Sequence, residues 1–107
     1  MVKSIQSREE YEEILSSQKK VVILWTAPWC SHCKAIAPKL DQYEKEYVDL
    51  TFIKADIDDL PDVAQDADIT GMPTFKFIDE GQLKAHLTGA NDAQLLQGIK
   101  NLAAITH

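Results

Sequence analysis

Cys30 and Cys33, in the stretch Trp29-Cys30-Ser31-His32-Cys33-Lys34, are the residues of this chain best suited to chemistry. An apolar run, Val21-Val22-Ile23-Leu24-Trp25, precedes them and a helical pattern follows. Two thiols at such a strand-to-helix junction can close into a disulfide and reopen with little movement elsewhere. The helix N-terminus adds partial positive charge, which favours the thiolate, the reactive form of the thiol. A structural staple is a poor alternative, because so short a loop removes little entropy from the unfolded chain. Zinc would need two more ligands, and the sequence has no second cysteine pair. A lone Cys-x-x-Cys beside a βαβ pattern therefore reads as a redox pair, with no metal.

The other polar residues offer less. His86 and His107 have no companion ligands in sequence and read as surface residues outside any mechanism. Asp59, Asp62, Asp66 and Asp68 lack the spacing of a calcium loop and read as a solvated face.

The elements that must hold the cysteines follow from periodicity and caps. Val2 to Ile5 reads as a short strand. Ser7 opens a helix, with Glu10 completing a capping box and Tyr11, Ile14 and Leu15 giving it one apolar face. Val21 to Thr26 is apolar almost throughout, as a strand covered on both faces should be. From Cys30 to about Tyr47, Cys33, Ile36, Ala37, Leu40 and Tyr43 keep helical spacing, which Pro38 interrupts and should kink. Leu50 to Ile57 reads as a strand, and Pro61 opens a short helix through Ala67. Thr74 to Ile78 and Gln82 to Thr88 form a hairpin around Asp79-Glu80-Gly81. Asn91, with Gln94, caps a last helix bearing Leu95, Leu96, Ile99 and Leu102. The order β-α-β-α-β-α-β-β-α predicts an α/β fold. Its mixed central sheet has a parallel core, an antiparallel edge hairpin and helices on both faces.

The chain's 107 residues fit one domain, 1–107, able to build a core without metal or disulfide support. A net charge of −6 without a basic stripe makes nucleic acid and anionic membrane poor partners. No segment is long enough to span a bilayer, and the N-terminus turns acidic at once, so a cytoplasmic location is the default expectation. In a reducing cytosol a lone cysteine pair is more often catalytic than structural.

Across essentially its whole length the chain resembles the thioredoxin family. The residues that carry the resemblance are Ala27-Pro28-Trp29-Cys30, Cys33-Lys34, Pro38, Lys54, Asp58, Met72-Pro73-Thr74-Phe75, Gly81 and Gly89-Ala90. The resemblance implies the thioredoxin fold and reduction of protein disulfides, with no cofactor. Cys30 would be the exposed nucleophile and Cys33 the buried resolving thiol. Met72-Pro73 would be a cis peptide bond facing the active site, and Trp29, Met72, Pro73, Gly89 and Ala90 the surface that meets an extended substrate. Partners would be protein disulfide substrates and an electron donor, a thioredoxin reductase or glutathione. Monomer is the default state.

Three residues, at two sites, depart from the family pattern. Ser31-His32 stands where Gly-Pro is common, and a histidine there resembles protein disulfide isomerases and bacterial disulfide oxidants. His32 can stabilise the Cys30 thiolate by charge or hydrogen bonding, which favours the dithiol and raises the reduction potential. Leu24 stands where most relatives carry a buried aspartate beneath the active site. Leucine accepts no proton, and Lys54 loses its partner and should reach for solvent. Asp56 and Asp58 end the third strand, with nothing in the sequence to place either near Cys33. A thioredoxin-fold binding module with incidental redox chemistry has no need of both cysteines. An oxidase or isomerase direction uses the same two. A metal or iron–sulfur site bridging two copies would show as colour or bound metal.

Overall fold

The computed structural model describes residues 1–107 and follows the order anticipated above. The elements are β1 (Lys3–Ser4), α1 (Arg8–Ser17), β2 (Lys20–Thr26), α2 (Ser31–Glu46), β3 (Thr51–Asp56), α3 (Pro61–Asp66), β4 (Thr74–Asp79), β5 (Gln82–Thr88) and α4 (Asp92–Ala104). They build one five-stranded sheet in the order β1-β3-β2-β4-β5. β1 and β2 both run parallel to β3, whereas β4 is antiparallel to β2 and to β5. Antiparallel pairing thus begins in the middle of the sheet, at β2, and not only at the edge hairpin.

Alternation along β2 explains its continuous apolar run. Val22 and Leu24 face one core with Ile36, Leu40 and Tyr43 of α2 and Leu95, Ile99 and Leu102 of α4. Val21, Ile23 and Trp25 face the other core with Leu60, Val63 and Ala64, against which Tyr11, Ile14 and Leu15 of α1 pack. Helices cover both faces, so the positions of β2 between Lys20 and Thr26 are all apolar and buried.

Local chemistry fixes the element ends. Ser7 Oγ accepts the Glu10 N–H at 3.1 Å, and the Glu10 carboxylate reaches back to the Gln6 N–H at 2.8 Å, one residue earlier than in the standard box. The Lys3 ammonium and that backbone donor hold the Glu10 carboxyl below its ordinary value. Asn91 caps α4 through the Gln94 N–H at 3.0 Å. Pro38 lies on the exposed side of α2, and the helix runs through it unbroken. Glu80 and Gly81 both take positive φ, 50° and 81°, as a two-residue hairpin turn requires. Asp79 is therefore a strand residue and not a turn residue. It is 2 % exposed, and its Oδ2 lies 2.8 Å from His107 Nε2. His107 stays at the surface as anticipated but closes over a buried carboxylate.

Candidate active site

Cys30 occupies the N-cap of α2, where β2 has ended and the chain turns into the helix. Its extended backbone lets the side chain fold back over the first turn, and Sγ accepts the Cys33 N–H at 3.2 Å. That N–H is one of the helix donors left without an intrahelical carbonyl, so it is free to serve sulfur. The first turn carries no acidic side chain to compete for the same field. The two sulfurs are joined in a disulfide, with the Cα atoms 5.3 Å apart.

The open exposure expected of Cys30 is absent in the oxidised protein: the residue keeps 6 % of its surface against 1 % for Cys33. Disulfide closure turns each sulfur toward the other, and Ala27, Met72 and Ile57 pack around the pair. Access to Cys30 is a narrow opening. Beside it Trp29 is 66 % exposed, a large apolar side chain left in water next to the reacting atom.

The Met72–Pro73 peptide bond is cis. Pro73 is buried and its carbonyl accepts the Gly89 N–H at 2.8 Å, which ties the end of β5 to the loop before β4. Met72, half-buried, packs against the cysteines, while Gly89 is half-buried and Ala90 exposed. Met72 lies outside the strands, and its backbone N–H and C=O have no partner in the protein. The structure thus brings Cys30, Cys33, Met72 and Pro73 together, and the Pro73–Gly89 bond draws in Gly89 and Ala90.

His32 is exposed and makes no hydrogen bond to either sulfur in this oxidised form. Lys54 is half-buried with no ion pair, beside Leu24, its register partner on β2. Leu24 is fully buried in the larger core, as an apolar replacement should be. Sequence reading missed Ile57, which packs on the cysteines from beyond β3. Its only sequence signal was its place at the end of an apolar strand.

Comparison with known proteins places these features in a wider group. A family model described as Thioredoxin matches residues 2–101. Thioredoxin-1 of Schizosaccharomyces pombe is 41 % identical over 100 residues, covering 94 % of this chain and 97 % of its own. A Plasmodium falciparum thioredoxin structure superposes with a TM-score of 0.92 at 39 % identity, covering 94 % of this chain and 98 % of the other. A chain in a structure on the thiol resolving mechanism of yeast mitochondrial 1-Cys peroxiredoxin via glutathione/thioredoxin systems gives a TM-score of 0.88. It is 34 % identical, with 94 % of each chain covered.

Proposed function

The chain belongs to the thioredoxin family, and from that premise we propose that it is a protein-disulfide reductase in which Cys30 attacks and Cys33 resolves. Family and cysteine pair together make it a thiol–disulfide oxidoreductase. The observation that carries the finer reading is the Cys33 N–H on Cys30 Sγ at a helix start. This donor stabilises sulfur most when sulfur is negative, so it favours Cys30 as thiolate and as leaving group.

In the proposed cycle the Cys30 thiolate attacks a substrate disulfide, and one substrate sulfur leaves as thiolate. Cys33 then attacks Cys30 Sγ, forming the intramolecular disulfide and releasing the second substrate sulfur. The unpaired backbone groups of Met72 support substrate binding as an added strand, with Trp29, Pro73, Gly89 and Ala90 offering apolar contact. A reductase or the glutathione pool of a reducing compartment, the cytoplasm, would restore the dithiol. One similar chain comes from a structure concerned with glutathione/thioredoxin systems, which is the setting this reading assumes. His32 favours a less reducing potential than is usual in the family, which leans toward the isomerase direction of the same chemistry, and Leu24 removes a proton acceptor from the resolving step.

Cys30→Ser should abolish insulin reduction, whereas Cys33→Ser should accumulate a covalent mixed disulfide with substrate, visible by mass spectrometry. Activity retained in Cys30→Ser would overturn the assignment of roles.

A further inference from the structure

Two adjacent strands set a small polar patch under the start of α2. Leu24 pairs in register with Lys54, and Thr26 with Asp56. Residues two apart on a strand share a face, and Leu24 belongs to the core beneath α2 and α4, so all four lie on the α2 side. Between this patch and α2 is a groove of about 270 Å3, open to solvent and lined by these four residues and, from α2, by Cys33 and Lys34. Asp56 is half-buried. Its Oδ1 accepts the Asp58 N–H at 2.8 Å, which fixes the carboxylate, and Oδ2 has no partner in the protein.

The resolving step needs an acceptor of this kind. Cys33 must lose its proton before it can attack, yet it is 1 % exposed, so an acceptor has to lie within reach on the protein side. Leu24, directly beneath, takes no proton. The groove far exceeds the roughly 30 Å3 share of one water, and the Thr26 hydroxyl, Lys54 ammonium and Asp56 carboxylate give water polar partners there. We propose that Asp56 accepts the Cys33 proton through water in this groove, and so does the work that no residue at position 24 can do. The proposal rests on the reductase reading above.

The step balances within the chain and substrate. The Cys33 S–H proton passes across water to the Asp56 carboxylate, and the new thiolate attacks Cys30 Sγ. The Cys30–Cys33 bond forms as the bond from Cys30 to the substrate sulfur breaks. The electron pair leaves on that sulfur, which takes a proton from solvent, while Asp56 returns its own to water. The charged groups around Asp56 are Lys54 on its own strand, Lys34 on α2 and Asp58 after the strand; β2 contributes only Leu24 and Thr26.

The test is a single turnover of the reduced protein with insulin, quenched in acid, with the mixed disulfide followed in time between about pH 6 and pH 9. Asp56→Asn should form the mixed disulfide at the parent rate but release it on the order of 100-fold more slowly at neutral pH, the lower end of what a positioned base contributes. The gap should close as pH rises past the ordinary thiol value near 8.5, where hydroxide does the same work. Asp56→Glu, which keeps the acid, should stay within a few-fold of the parent. Release by Asp56→Asn at the parent rate, an equal slowing at every pH, or a Glu variant as slow as Asn would each overturn the proposal. Should the parent itself fail to reduce insulin, the reductase reading fails and takes this proposal with it.

Discussion

At the scale of single residues, the redox behaviour turns on the sulfur of Cys30 and the groups that can stabilise its charge. One is fixed: the Cys33 N–H at 3.2 Å. The other is His32, exposed at the helix start and free of either sulfur while the disulfide is closed. Opening the disulfide frees Cys30 to carry charge, and an imidazole two residues away can then turn to it. A proline at this position would offer neither charge nor donor. His32→Pro should therefore make the protein more reducing. A single charge-assisted bond is worth roughly 1.5–3 kcal/mol, and ~30 mV corresponds to ~1.4 kcal/mol for this two-electron couple, so the shift should be about 30–60 mV. Equilibration of parent and variant with a glutathione buffer reads it directly. Equal potentials would leave His32 a solvated bystander.

At the scale of elements, the site depends on how closely α4 lies against the sheet. A Cβ built on Gly98 would fall 2.4 Å from the Phe77 ring, which is itself buried in the main core. The absence of a side chain lets α4 seat Leu95, Ile99 and Leu102 on β4, and β4 begins directly after the cis proline. Intrinsic propensity favours alanine over glycine in a helix by ~1 kcal/mol. Overpacking against a fixed ring costs about 1–3 kcal/mol and should win. Gly98→Ala is expected to be less stable than the parent in urea titration, by roughly 1 kcal/mol or more. A more stable variant would mean that Phe77 can step aside. The far end of α4 is also tied down: Lys20 Nζ of β2 donates to the Ala103 and Ile105 carbonyls at 3.1 and 2.6 Å.

At the scale of the whole molecule, α2 and α4 are joined across the surface of one core. The Tyr43 hydroxyl donates to Asp92 Oδ1 at 2.7 Å. Burial, and then this bond to a carboxylate, push the phenol up to about 12. An unfolded tyrosine ionises near 10, so the folded state favours the neutral phenol. The contribution is therefore whole below about pH 10 and is lost as pH climbs from there through about 12. Tyr43→Phe should cost roughly 1 kcal/mol at neutral pH, and its stability should fall less steeply than the parent's across that alkaline window. Denaturant midpoints at a series of pH values check both parts. Parallel curves would show that Tyr43 titrates alike in the folded and unfolded chain.

Short-range rules wrote much of this protein into its sequence. Ser7 and Asn91 cap where their types predict, the turn at Glu80-Gly81 takes the positive φ that glycine favours, and the apolar run of β2 is covered on both sides. The redox pair was legible because its two thiols need only a helix start, which is local. Family resemblance supplied the cis bond at Met72–Pro73, for which the local sequence holds no signal. What the sequence left open depends on strands far apart in the chain. The order β1-β3-β2-β4-β5 sets β3 beside β2, and only that register puts Asp56 and Lys54 under Cys33. Asp79 read as a turn residue because aspartate favours turns, but the segment ending at His107 folds over it and buries it. Cys30 read as exposed, but Met72 and Ile57 arrive from distant loops to narrow its opening. Caps and turns are decided by a few neighbouring atoms. Burial and pairing are decided by which surfaces the whole chain brings together, and that choice is made only when the tertiary structure forms.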